Sequence, residues 1–280
     1  MKGKQVSTKE TARPASKGVE YYLKRLLREV PLHRALVRAA ECDMLAAIEM
    51  PRPILDVGAG DGTLAWALFD QPLEVGIDPD GNALLEARRL TVYRNLAQAA
   101  GAPLPFRDGS FACLLSNSTL EHIPDLEPVL AELSRVLGEN GVCVITVPSD
   151  QFLDLTFGVR FFRLLRLRPL ARLYARWFNR ISRHHHCDPP QVWDERLARA
   201  GLSLLEWRYY FSKASTSAMD IAHYVSGPSL LTKRLLGRWV LWPGKVRFLP
   251  LGRWLGPLAQ PGARDAGAYL LLIARKTQST

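Results

Sequence analysis

The chain has 280 residues, 48% of them hydrophobic and 23% charged, enough to bury a large core unaided and too apolar for wholesale disorder or a collagen-like repeat. No apolar run approaches the roughly 18–20 residues needed to cross a bilayer. The formal charge of +10 is unevenly distributed: residues 1–150 hold 16 of the 37 Lys+Arg and 20 of the 27 Asp+Glu, or −4, whereas residues 151–280 hold 21 and 7, or +14. Such segregation points to an anionic partner for the second half, either a membrane surface or nucleic acid.

Residues 1–18 read as a disordered, basic tail without the apolar stretch of a secretory signal, as on a cytoplasmic chain. From 19 to 50 the apolar residues recur at three- and four-residue steps on both sides of Pro31, which predicts two amphipathic helices. A core follows over 51–149. Ile54-Leu-Asp-Val-Gly is a short strand, the segment after Asp61 a helix, Leu73 to Asp78 a second strand and Asn82 to Arg89 a second helix. A weaker strand lies around Tyr93 to Ala99. Cys113 to Ser118 is a fourth strand, Leu126 to Leu137 a helix and Gly141 to Pro148 a fifth strand. Strands alternating with helices imply βαβ units, so the fold class is α/β with a doubly wound, mainly parallel sheet. Residues 191–211 continue the core with a helix and a strand, and 267–280 hold the last strand and a tail. Two long segments, 150–190 and 212–266, interrupt this frame, and insertions of such length are usually covers or binding surfaces. Cys42, Cys113, Cys143 and Cys187 are widely spaced and read as reduced thiols.

The segment Asp56-Val-Gly-Ala-Gly-Asp-Gly-Thr follows a strand and opens a helix, the context of a glycine-rich ligand loop. Gly58, Gly60 and Gly62 permit a tight turn and close approach of a ligand. An acid two residues before the first glycine would repel a pyrophosphate at the helix N-terminus. It suits S-adenosylmethionine, which has no phosphate and carries an ammonium and a sulfonium. Asp78, 22 residues after Asp56, ends the second strand where a carboxylate can accept from two ribose hydroxyls.

With that loop, VGIDPD, LPFRDGSFACLLSNSTLEHIPD and RVLGENGVCVITVPS, the stretch of about 53–148 resembles the class I S-adenosylmethionine-dependent methyltransferases of the UbiE/small-molecule branch. The resemblance implies a seven-stranded Rossmann-like sheet whose last strand is antiparallel. It also implies that the loop of Gly58, Ala59, Gly60 and Gly62 holds the methionine end of S-adenosylmethionine and Asp78 the ribose, with Asp56, Pro79, Gly101 and Asn117 also at the cofactor, and that Asn117 to His122 face the sulfonium and acceptor. Relatives carry an acid before the LPF element that meets the adenine amino group. Ala100 stands there in this chain, leaving Gln98 or the backbone near Gly101 for the contact. Ala112 replaces a relative's Asp.

Methyl transfer needs alignment of donor and acceptor and removal of at most one proton. His122, in Leu-Glu-His-Ile-Pro-Asp, is either the base or a residue that shapes the loop, and Glu121 either a base or an organiser of that loop. The run His184-His185-His186-Cys187 alternates sides on an extended chain, which disfavours a metal cluster, so no metal is expected. The run reads as an acceptor-site loop with His185 as a candidate base, or as plain surface. Between Leu155 and Cys187 there are eight arginines and no acid. Arg172, Arg176, Arg180 and Arg183 step along one helical face, and Leu170, Leu173, Tyr174, Trp177, Phe178 and Ile181 along another. The segment from Leu230 to Leu258 adds six basic residues and three tryptophans. Both inserts fit either a helical cap packed on the sheet or an element lying on an anionic membrane.

The expected function is therefore O-methylation of a hydrophobic or lipid-linked small molecule or glycan, by a cytoplasmic chain held peripherally at the inner face of a membrane. Nucleic acid is the weaker partner, since no RNA-binding module is recognisable. The alternative is a non-catalytic binding or scaffold protein that kept the fold, which Ala100 and Ala112 favour.

Overall fold

The computed structural model describes residues 16–236, Trp239, 255–260, Gly262 and 265–277. Most of the expected N-terminal tail and most of the tryptophan-rich part of the second insert lie outside the described residues. At the centre is a seven-stranded sheet of β1 (Ile54–Val57), β2 (Leu73–Asp78), β3 (Tyr93–Gln98), β4 (Phe111–Asn117), β5 (Leu137–Pro148), β6 (Leu202–Tyr210) and β7 (Tyr269–Lys276), ordered β3-β2-β1-β4-β5-β7-β6. β7 runs antiparallel to both of its neighbours, and the other strand pairs are parallel. β5 starts four residues earlier than the sequence indicates. Leu137 pairs with Phe111 before a register shift, in a stretch whose glycines and Asn140 carry turn character.

The helices are α1 (Val19–Leu26), α2 (Leu32–Leu45), α3 (Thr63–Leu68), α4 (Gly81–Leu90), α5 (Glu127–Val136), α6 (Phe152–Leu155), α7 (Phe157–Leu164), α8 (Arg168–Ser182), α9 (Pro190–Arg199), α10 (Lys213–Val225) and α11 (Gly227–Leu236). Local chemistry sets their ends. Pro31 caps α2, the Asp80 side chain accepts from Asn82 N at the start of α4, and the Ser212 hydroxyl accepts from Ser215 N at the start of α10. Strand residues alternate between two cores. Cys113, Leu115 and Val144 face the side covered by α1, α2, α3 and α10, whereas Leu114, Cys143 and Ile145 face α5 and α9. Strand order reverses between β1 and β4, and the crevice beyond their carboxyl ends is where such sheets bind ligands.

The first insert folds as α6, α7 and α8, and the second begins with α10 and α11. Helix α7 approaches α8 closely because Gly158 has no side chain, a Cβ there falling 2.3 Å from Tyr174 Cζ. The Tyr174 hydroxyl donates to the buried Asp220 carboxylate of α10 at 2.8 Å. On α8 only Ala171 and Phe178 are buried. Leu170, Leu173, Trp177 and Ile181 are exposed, as are Leu164 and Leu165 at the end of α7. The expected apolar stripe exists, but most of it does not pack on the sheet.

Candidate active site

The glycine loop is held by its own backbone. Gly58 N and Ala59 N donate to the Ile77 carbonyl at 2.8 and 2.9 Å, which ties the end of β1 to β2. The three glycines differ in what they allow. Gly58 has φ +79 and lies against Thr119, whose Oγ1 would be 2.1 Å from a Cβ; Gly60 has φ +54 with nothing nearer such an atom than Gly58 O at 4.0 Å. Gly62 (φ +74) packs on Ala87 and Tyr93 and is not part of the cavity lining, contrary to its expected ligand role. It lets the start of α3 seat against α4 and β3. Asp78 Oδ2 accepts from Gly60 N at 2.9 Å and Oδ1 from Asp80 N at 2.8 Å. Asp56 is buried, and the Tyr93 hydroxyl donates to it at 2.6 Å; burial outweighs that bond and the distant Arg38, pushing the carboxyl up to about 6.

Above the loop is a cavity of about 500 Å³, within the usual range for a cofactor-sized ligand. Asp56, Gly58, Ala59, Gly60, Asp78, Pro79, Gly101, Asn117 and His122 all line it, and so does Ala100. Gln98 does not: its Nε2 donates to Pro79 O at 2.9 Å. On that side the described wall is therefore Ala99, Ala100 and Gly101.

Sequence reasoning missed two cations. Arg34 and Arg38, one turn apart on α2, also line the cavity. Arg34 pairs with Asp61 at 2.8 Å. Burial alone would raise the Asp61 carboxyl, but Arg34 and the Thr63 hydrogen bonds bring it down to about 2. Arg38 pairs at 2.7 Å with Glu41, which is fully buried and also accepts from Asn117 Nδ2 at 3.1 Å and Tyr210 OH at 3.0 Å. Burial pushes the Glu41 carboxyl up against the opposing pull of Arg38. This network joins α2, β4 and β6 beneath the cavity and leaves Asn117 Oδ1 buried without a partner. The available signal was the spacing of Arg34, Arg38 and Glu41 on one face of an otherwise apolar helix.

At the other end, Leu120–His122 form a 3-10 turn after β4. His122 Nδ1 lies 3.1 Å from the Arg183 carbonyl oxygen. A carbonyl only accepts, so Nδ1 carries the proton and Nε2 a lone pair. Burial lowers the His122 pKa, partly offset by that bond. Glu121 is 1% exposed with its Oε2 unpartnered, and burial pushes its carboxyl up to about 8. Its backbone carbonyl accepts from His185 N at 2.7 Å and His186 N at 3.3 Å, pinning the histidine run to the turn. The structure departs from the expectation for His185, which is exposed and does not line the cavity. His184 is the member turned toward His122, with ring centres 5.2 Å apart; burial and that neighbour lower its pKa to about 4. Extended-chain alternation holds, but its phase depends on tertiary contacts that the sequence does not display.

The cavity suits S-adenosylmethionine: an open glycine at its floor, an acid at the end of β2, two arginines for a carboxylate and a buried amide oxygen without a partner. The sheet order, with its antiparallel β7, is the fold of the class I S-adenosylmethionine-dependent methyltransferases. Residues 55–145 match the family model described as a methyltransferase domain. An uncharacterized methyltransferase of Mycobacterium sp. (strain KMS) is 35% identical over 96 residues, 34% of this chain and 38% of the relative. A malonyl-[acyl-carrier protein] O-methyltransferase of Geobacter sulfurreducens is 36% identical over 106 residues, 36% and 40% of the two chains. The chain thus spans about two fifths of the length of these relatives. Among solved structures, an S-adenosylmethionine-dependent methyltransferase of Thermotoga maritima aligns with TM-score 0.55 at 15% identity, over 88% of this chain and 91% of that one. The Haemonchus contortus phosphoethanolamine N-methyltransferase 2, in complex with S-adenosyl-L-methionine, aligns at 0.51 and 14%, over 89% and 54%. At such identities these two share the fold alone.

Proposed function

We propose that the protein transfers a methyl group from S-adenosylmethionine to an oxygen of a hydrophobic or lipid-linked acceptor, which it meets at an anionic membrane surface. The observation that carries this reading is the position of Arg183. This residue ends α8, the helix with exposed arginines and exposed apolar side chains, and it lines the donor cavity beside His122. The greasy, cationic hairpin thus leads directly to the cavity mouth.

Bound S-adenosylmethionine supplies a methyl group on a sulfonium, a leaving group that needs no further activation. In this reading Asp78 meets the ribose hydroxyls, Arg34 and Arg38 the methionine carboxylate, and the unpartnered Asn117 Oδ1 the ammonium. Ala99 and Ala100 give the adenine an apolar wall in place of a carboxylate contact, whose loss costs about 1.5–3 kcal/mol of donor affinity. On the acceptor side His122 Nε2 presents its lone pair for the acceptor proton. Oxygen as the acceptor atom is supported by the name of the Geobacter relative, although that protein's carrier-linked substrate is its own.

The test is incubation of purified protein with S-adenosylmethionine carrying a labelled methyl group and fractionated lipid and polar extracts. Label is expected in a chloroform-soluble product that base hydrolysis or ether cleavage assigns to oxygen. Donor binding by calorimetry without any labelled product would instead support the scaffold reading, and no donor binding would remove both.

A further inference from the structure

We propose that Glu121, His122 and His184 form a site for one divalent transition-metal ion of the zinc class at the acceptor end of the cavity. One carboxylate oxygen and one nitrogen from each ring lie within 4.8 Å of one another, and His122 Nε2 is 3.9 Å from Glu121 Oε1. Ligand atoms around such an ion sit about 3 Å apart at bonds of about 2.0–2.1 Å, so closing the site takes side-chain shifts of about 1 Å.

Three features make this more than proximity. Glu121 is a 1% exposed carboxyl whose Oε2 has no partner, and a buried polar group of that kind is costly unless something satisfies it. His122 already has the second contact typical of a metal-bound histidine, its Nδ1 engaged by the Arg183 carbonyl so that Nε2 is left as the donor. His184 is held in place by Phe152, with ring centres 5.1 Å apart, and its Nδ1 lies 3.7 Å from Cys187 Sγ, which leaves Nε2 for the ion.

The segments bearing these donors are fastened to each other before any ion arrives. Besides the two bonds to the Glu121 carbonyl, His186 Nε2 lies 2.9 Å from Ile123 O. Two imidazoles and one carboxylate suit Zn²⁺, Co²⁺ or Fe²⁺ better than Mg²⁺ or Ca²⁺. His122 borders the cavity, so the free coordination position opens toward the acceptor. Nε2 cannot be ligand and base together, and loading the site exchanges a base for a Lewis acid. Ion binding itself does not depend on the methyl-transfer reading.

The experiment uses untagged full-length protein stripped with chelator, then titrated with Co²⁺ and followed by its visible ligand-field bands, with Zn²⁺ competition. One Co²⁺ per chain is expected, displaced by Zn²⁺, with Zn²⁺ raising the melting temperature. His184→Ala and Glu121→Gln should each weaken binding at least tenfold while their circular dichroism stays that of the parent. His185→Ala should bind as the parent does. Absence of ligand-field bands in the parent would overturn the proposal. So would bands that survive both His184→Ala and Glu121→Gln, or that disappear in His185→Ala instead. Since binding is read without turnover, failure here leaves the methyl-transfer assay unaffected.

Discussion

Gly58 and Gly60 separate folding from binding. Gly58→Ala places a methyl against Thr119 at a positive φ, adding about 1–3 kcal/mol of overpacking to about 1–2 kcal/mol of backbone strain. Gly60→Ala carries only the strain, because a Cβ there meets open space over the loop. Thermal melts should show the first variant strongly destabilised and the second mildly so. Calorimetry should show the second losing S-adenosylmethionine affinity out of proportion to its small loss of stability; unchanged affinity in a folded Gly60→Ala protein would place the donor elsewhere. Asp78→Ala removes a carboxylate that organises Gly60 N and Asp80 N and that, in the proposed donor pose, meets the ribose. Hydrogen bonds to a charged group are worth about 1.5–3 kcal/mol, so donor affinity should fall roughly 10- to 150-fold, and the melt should fall as well because the two backbone bonds go with the carboxylate. The loop and Asp78 were legible in the sequence because glycine spacing after a strand reports backbone geometry directly. His184 was not: four successive residues in a loop have no periodic phase, and only the bonds to the Glu121 carbonyl decide which ring turns inward.

Among the elements, α2 shows how much an amphipathic pattern conceals. Its apolar residues placed the helix correctly around the break at Pro31. The pattern assigns polar residues to solvent, yet Arg34, Arg38 and Glu41 face the cavity and the network below it. His33 on the same helix is similarly misassigned by pattern. Its ring is 4.7 Å from His223 of α10, its Nδ1 is buried without a partner, and burial, with His223 and Arg34 adding to it, lowers its pKa from 6.5 to about 4. The unfolded chain takes up a proton at His33 below about pH 6.5 while the folded chain resists until about pH 4. Its contribution to stability is full above pH 6.5 and is lost as the pH falls through that window, on the order of 3 kcal/mol. His33→Leu should remove this part of the pH dependence. Urea midpoints of parent and variant at pH 7 and pH 4.5 measure it: the parent should lose more stability between the two, and equal losses would show that the α2–α10 contact does not exclude the proton.

For the molecule as a whole, charge and topology were readable at different depths. Strand–helix alternation indicated βαβ units in a mainly parallel sheet, and the +14 of the second half pointed to an anionic partner, but neither indicates the strand order or whether an amphipathic insert buries its apolar face or presents it. The structure leaves Leu164 80% and Leu173 56% exposed beside unpaired positions in a run of eight arginines and no acid, although Arg160 and Arg163 are engaged by Ser217 and Asp154. No helix among the described residues is long and apolar enough to cross a membrane, so attachment through this face would lie in the interface plane. Each arginine close to an anionic leaflet is worth about 1 kcal/mol, and this attraction fades within a Debye length of about 10 Å at 0.1 M salt. Full burial of a leucine in the acyl boundary adds about 1.5–3 kcal/mol that salt does not screen. Cosedimentation with vesicles of phosphatidylglycerol and phosphatidylcholine should therefore be strong at low salt, weaker but present at 0.5 M, and faint on phosphatidylcholine alone. Arg172→Glu with Arg176→Glu should abolish the salt-sensitive part, and Leu164→Ser with Leu173→Ser the residue that survives high salt. These four side chains lie outside the donor cavity, so calorimetric S-adenosylmethionine affinity should stay at the parent value in both pairs. If neither pair alters cosedimentation while binding persists, the hairpin is not the docking face, and the route from membrane to cavity through Arg183 has to be abandoned.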